Sequence, residues 1–135
     1  MESIEQTAPT SNKLMIWVGR IISALPVLLL VFSSSMKLLK PVQVVDEFAR
    51  LGYPENVIFG LGIVELACAV IYAIPQTAIF GAILLTGYLG GATATHLRAG
   101  DPTFNMIMPV ILGVLIWGGV FLRDARLRKL LPLRS

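Results

Sequence analysis

From Asn56 to Leu97 the only unambiguous charge is Glu65, over about twice the length an α-helix needs to cross a bilayer. Pro75 and Gln76 fall near the middle of this stretch. Proline lacks an amide donor and breaks the helical ladder, so the spacing predicts two helices joined by a tight turn rather than one long rod. Leu14 to Met36 makes another span, with Arg20 near its start and Pro26 inside it, and Phe104 to Leu122 makes a last one, ending at Arg123. Pro109 is expected in the first turns of that last span or at a kink. Backbone that crosses hydrocarbon must satisfy its own hydrogen bonds, so these runs specify helices. The expected fold is all-α, an integral membrane four-helix bundle.

Composition agrees: 56% hydrophobic residues, 14% charged and a mean hydropathy of +0.79 are too apolar for a soluble domain of this size. The net charge of +3 does not point to nucleic acid. Five of the eleven basic residues (Arg123, Arg126, Arg128, Lys129 and Arg134) crowd the end of the chain beside a span, with no aromatic residues interleaved. That arrangement holds a helix end at an anionic membrane surface, which makes the lipid bilayer the expected partner. Cys68 is alone, so it forms no intramolecular disulfide and reads as a small apolar filler. His96 is also alone, and no metal site is expected.

The chain divides into a disordered tail over 1–12, a bundle domain over 13–123 and a basic cytoplasmic tail over 124–135. Glu2 and Glu5 place negative charge where a secretory signal carries positive charge. Between the first two spans, Pro41 can start a short helix. Its Val42, Val45, Phe48 and Ala49 share one face; Gln43, Asp46, Glu47 and Arg50 share the other. Such a segment is expected in the interface plane, stopped by Gly52 before Tyr53-Pro54 turns into the second span. Four spans put both termini on one side. The basic residues there, set against Lys37, Lys40, Arg50 and Arg98 on the other, favour cytoplasmic termini.

Glu65 carries the most chemical information, because it lies about half-way across its span. An acidic group there costs about 2.5–3.5 kcal/mol unless it is protonated, paired or hydrated. It is therefore a candidate proton carrier, general base or ligand anchor, with a bonded structural carboxyl as the alternative. It is expected at a small pocket between the second and third spans, in the half of the bundle away from the termini. Tyr72 lies near the same helix face and reads either as part of that polar seam or as an interfacial anchor. His96 closes the third span in a turn that also holds Arg98 and Asp101. It is a candidate acid–base group or a helix-end hydrogen bonder, and Asp101 is expected to cap the next helix. Lys37 can pair with Glu65 or snorkel to head groups. Gly87, Gly91 and Thr95 form a small-residue stripe, expected to pack within the bundle ahead of serving as a dimer seam. Thr86 and Thr93 offer hydroxyls to the interior or bond back to their own helix.

Lys37-Leu38, Glu47-Phe-Ala-Arg-Leu-Gly-Tyr-Pro54, Leu61-Gly-Ile-Val-Glu-Leu66 and Gly91-Ala-Thr-Ala-Thr-His-Leu-Arg-Ala-Gly-Asp-Pro102 occur in that order. Together they resemble the DoxX-like family of small four-helix bacterial membrane proteins, over about Leu14 to Leu122. Ser35 stands where a glycine is common in that family. The resemblance implies a bacterial inner-membrane protein and marks Lys37, Glu65, His96 and Asp101 as the family's polar signature. The family takes its name from a membrane subunit of a thiosulfate:quinone oxidoreductase; the resemblance does not carry thiosulfate chemistry to this chain.

Three functions compete. The first is a redox-associated subunit that binds quinone or a similar lipophilic molecule, with Glu65 and His96 handling protons and Lys37, Tyr72, Thr93 and Asp101 contacting the ligand. It needs a redox partner protein, because the sequence contains no recognisable flavin, haem or iron–sulfur motif. The second is a self-contained enzyme using Glu65 and His96 as base and acid on a small lipophilic substrate. The third is a non-catalytic binding, transport or scaffold module, for which a homo-oligomer is expected if it transports.

Overall fold

The computed structural model describes residues 2–130, with side chains for 13–127 and 129. Its helices are α1 (Glu2–Leu39), α2 (Val42–Arg50), α3 (Ile58–Ala73), α4 (Ala78–Ala99), α5 (Thr103–Arg123) and α6 (Ala125–Leu130). Among the described residues, four segments are long and apolar enough to cross a membrane: Lys13–Leu39, Glu55–Ala73, Pro75–Ala99 and Thr103–Arg123. The bundle matches the fold expected from the charge-poor runs. The tails expected over 1–12 and 124–135 fall largely outside the described side chains.

Helix α1 packs on α3 and α5, and α4 packs on the same two helices, which closes a ring around one core. Many large apolar side chains face outward instead, among them Leu14, Leu28, Phe32, Phe80 and Val114. In water this would be an aggregation hazard; in lipid it is the ordinary outer surface of a bundle.

Close helix approach depends on small residues, though not on the stripe the sequence suggested. A Cβ at Gly81 would stand 2.4 Å from the Tyr72 backbone nitrogen, so α3 and α4 cross at a point only glycine allows. Gly87, Gly90 and Gly91, by contrast, have no atom within 4 Å of a would-be Cβ. The expectation that the Gly87–Gly91 stripe packs within the bundle is therefore corrected: these positions leave space open. Tyr72 is fully buried at the tight crossing, its hydroxyl donating to the Ile116 carbonyl at 2.7 Å and sharing a hydrogen bond of 2.9 Å with the Ser23 hydroxyl.

Two glycine-stopped helices shape the end of the bundle away from the termini. Gly52 (φ 92°) follows α2, with Gly52 N–H donating to Ala49 O and Tyr53 N–H to Phe48 O. Gly100 (φ 72°) follows α4, with Gly100 N–H donating to Leu97 O and Asp101 N–H to His96 O. Both are the paired closure in which a left-handed residue turns the chain back over the last helical turn. The second closure brings Asp101 beside His96. Pro109 sits in the second turn of α5, within the first turns as expected, and is buried.

Candidate functional site

The second turn from the end of α1 is polar because of Ser33-Ser34-Ser35. Ser34 and Ser35 return their hydroxyls to the Val31 carbonyl, at 2.9 and 2.8 Å. Ser33 instead accepts from Lys37 Nζ at 2.7 Å, one turn on, which holds the ammonium against the bundle interior rather than letting it snorkel away. From there Lys37 Nζ donates to Glu65 Oε2 at 2.7 Å. The two side chains are 14% and 2% exposed, so this is a buried ion pair. Tyr88, from α4, donates its hydroxyl to the same Glu65 oxygen at 2.9 Å. Three helices thus meet on one carboxylate, which accounts for a charge that lipid would otherwise exclude.

This cluster forms one wall of a cavity of about 450 Å³, within the range of small-molecule sites. The remaining wall is chiefly apolar: Leu29, Leu30 and Leu61, with Pro109 and Leu112 opposite. Gly87 and Gly91 line it too, and their missing side chains are part of the reason it is open. Phe48 of α2 closes over it, with the Lys37 ammonium 5.9 Å from the ring centroid. The cavity is wider than a slot between the second and third spans, since α1, α2 and α5 also contribute.

At the rim, His96 lines the cavity and its Nδ1 contacts Asp101. Asp101 is buried and also takes two hydrogen bonds from Arg50, at 2.6 Å from Nη1 and 3.1 Å from Nη2. It does not cap α5, as had been expected; the residue at that cap is Pro102, with no side-chain cap. Hydrogen bonds from Arg50 and His96 hold the Asp101 carboxyl well below the usual carboxylate range. The Arg50 hydrogen bond likewise lowers Glu47, and Glu47 and Asp101 together raise Arg50. Arg98 donates to the Leu51 carbonyl at 2.8 Å, and Tyr53 and Thr95 share a hydrogen bond of 2.8 Å. These contacts tie α2 and its following turn to the α4–α5 end of the bundle.

Lys37, Glu65 and His96 therefore meet at one cavity. Asp101 adjoins it through His96, but Tyr72 lies at the helix crossing and Thr93 returns its hydroxyl to Leu89 O at 3.0 Å, facing a separate groove between α4 and α5. Thr86 bonds back to its own helix, donating to Ala82 O at 2.7 Å, and accepts from Trp117 Nε1 at 2.6 Å on the exposed side of the bundle rather than in the interior. Tyr88 escaped the sequence reading, although a tyrosine inside a span needs a partner for its hydroxyl and so carries a signal of its own. No group of metal-ligating side chains occurs among the described residues.

A ring of four membrane-length helices around an interior ion pair defines a small multi-pass membrane protein with an internal polar site. The model of the DoxX-like family matches residues 21–119, most of the chain, and the protein belongs to that family. Neither curated proteins nor solved structures gave a match.

Proposed function

We propose that this protein is a membrane subunit that binds a quinone or a similar lipophilic molecule in the cavity beside Lys37, Glu65 and Tyr88. The observation that carries this reading is the third N–H of Lys37. An ammonium has three donors, and Ser33 and Glu65 take two; among the described residues nothing takes the third, at the edge of a largely apolar cavity. A ligand carbonyl is a fitting acceptor for it, and the apolar wall suits a ring with a hydrocarbon tail.

A quinone would supply a two-electron carrier whose reduction takes up protons. The chain's own residues bind and position: Lys37 donates to the carbonyl, Ser33 and Glu65 fix the ammonium, Tyr88 fixes the Glu65 carboxylate, and Phe48 excludes water above them. Glu65 holds or releases a proton at Oε1, the oxygen that accepts from neither Lys37 nor Tyr88, and His96 does so at Nε2, the ring nitrogen not engaged by Asp101. Electrons come from a separate redox partner. Mass spectrometry of the protein purified in mild detergent should find a quinone or related lipophile at a stoichiometry that falls in Tyr88→Phe. Equal retention of lipophiles by wild type and variant would overturn the assignment of the site.

Glu65 and His96 lining one cavity also suit a self-contained enzyme on a small lipophilic substrate, which predicts turnover by the isolated protein. We place the protein in the bacterial inner membrane with cytoplasmic termini. External labelling of an introduced cysteine near Gly100 but not near Ser135 is the expected pattern, and the reverse would invert the orientation.

A further inference from the structure

At the opposite end of the bundle a second cavity of about 450 Å³ lies between the start of the α1 span, the Pro75 turn and the α5–α6 junction. Arg20, Arg123, Arg126 and Asp124 line it, with Ile16 and Val120. Asp124 is used locally, taking Arg126 Nη2 at 3.1 Å, so those two charges offset each other. Arg20 and Arg123 form no ion pair among the described residues. Arg123 lies against the bundle: its Nε reaches Gly119 O at 3.4 Å and its guanidinium carbon lies 5.3 Å from the Tyr72 ring centroid. Its Nη2 is buried, with no acceptor among the described residues. Arg20 is exposed, its guanidinium 5.4 Å from the Trp17 ring centroid. Two guanidinium forks without ion-pair partners among the described residues line one pocket, and the group best matched to such forks is a phosphate.

We infer that this pocket binds a phosphate-bearing anion, with the half-buried Arg123 and the exposed Arg20 as its donors. The exposed apolar flank of Trp17 and Ile21 beside Arg20 is suited to acyl chains, so a phospholipid head group and a free phosphate share the recognising chemistry. The site is independent of the Glu65 cavity.

Full-length protein in phosphatidylcholine nanodiscs, with or without phosphatidylglycerol, would be read by native mass spectrometry for retained lipid, and titrated with inorganic phosphate. Preferential retention of phosphatidylglycerol, reduced about fivefold by Arg20→Gln, supports a lipid head group at this pocket; that is the scale of one basic residue at an anionic surface. Binding of inorganic phosphate in phosphatidylcholine alone, lost in the same variant, assigns the site to the free anion. Arg123→Lys, which keeps the charge but not the fork, should weaken either ligand while the protein stays folded. Lys129→Gln, outside the pocket, should leave binding unchanged. Equal retention of both lipids and no phosphate binding would overturn the inference, as would a loss in Lys129→Gln equal to that in Arg20→Gln.

Discussion

Lys37 of α1 and Glu65 of α3 form an ion pair of 2.7 Å inside the bundle, and Tyr88 of α4 donates to the same carboxylate oxygen. The pair offsets two desolvation costs with one attraction, so its value is conditional on both members being present.

Removing one member should be worse than removing both charges. Lys37→Met leaves an unpaired buried carboxylate and is expected to destabilise the protein by about 3–5 kcal/mol. Lys37→Met combined with Glu65→Gln should recover most of that loss, because glutamine still accepts from Tyr88. Thermal unfolding in one detergent checks the order; a double variant less stable than Lys37→Met would contradict it.

Tyr72, buried, and Tyr88, half-buried, should separate structure from binding. Tyr72→Phe deletes hydrogen bonds to Ser23 and Ile116 at the helix crossing, and should lower stability by about 1–3 kcal/mol without altering ligand affinity. Tyr88→Phe should alter affinity as well, since Tyr88 lines the cavity. Matched affinity losses in the two variants would argue against the distinction.

Much of this arrangement was legible in the sequence, and the rest was hidden for identifiable reasons. Charge-poor runs and Pro75 locate the spans, because lipid leaves a chain few alternatives. The cost of an acid in mid-span singles out Glu65, and a residue able to pay it, Lys37, is visible at the end of the first span. The Gly87–Gly91 stripe reveals small surface but not what faces it: the same pattern fits a packed seam or an open cavity wall. Arg50 reaching Asp101 across fifty-one positions has no local signature. Asp101 looked like a cap because it precedes a helix, but the left-handed turn at Gly100 aims it back at His96.

Acid should loosen the attachment of α2. The Asp101 carboxyl titrates below its ordinary value of 3.8, so its stabilising contribution is complete above that value and is lost as pH falls through the lower, folded-state one. Glu47, also lowered, adds a loss of the same sign below 4.5. Hydrogen exchange in α2 should therefore rise below about pH 4 in the wild type, and Asp101→Asn should show raised exchange already at neutral pH. Unchanged exchange in that variant would show that Arg50–Asp101 does not hold the helix.

The most direct test of the central claim is equilibrium binding of a short-tailed quinone to full-length protein in nanodiscs, comparing wild type with Lys37→Met/Glu65→Gln. This pair of substitutions removes the ammonium donor while sparing the fold, and loss of a charge-assisted hydrogen bond of about 1.5–3 kcal/mol corresponds to roughly ten- to over a hundredfold weaker binding. A loss of that size, with thermal stability near that of the wild type, is the predicted result. Saturable quinone binding of equal affinity in both proteins would contradict it.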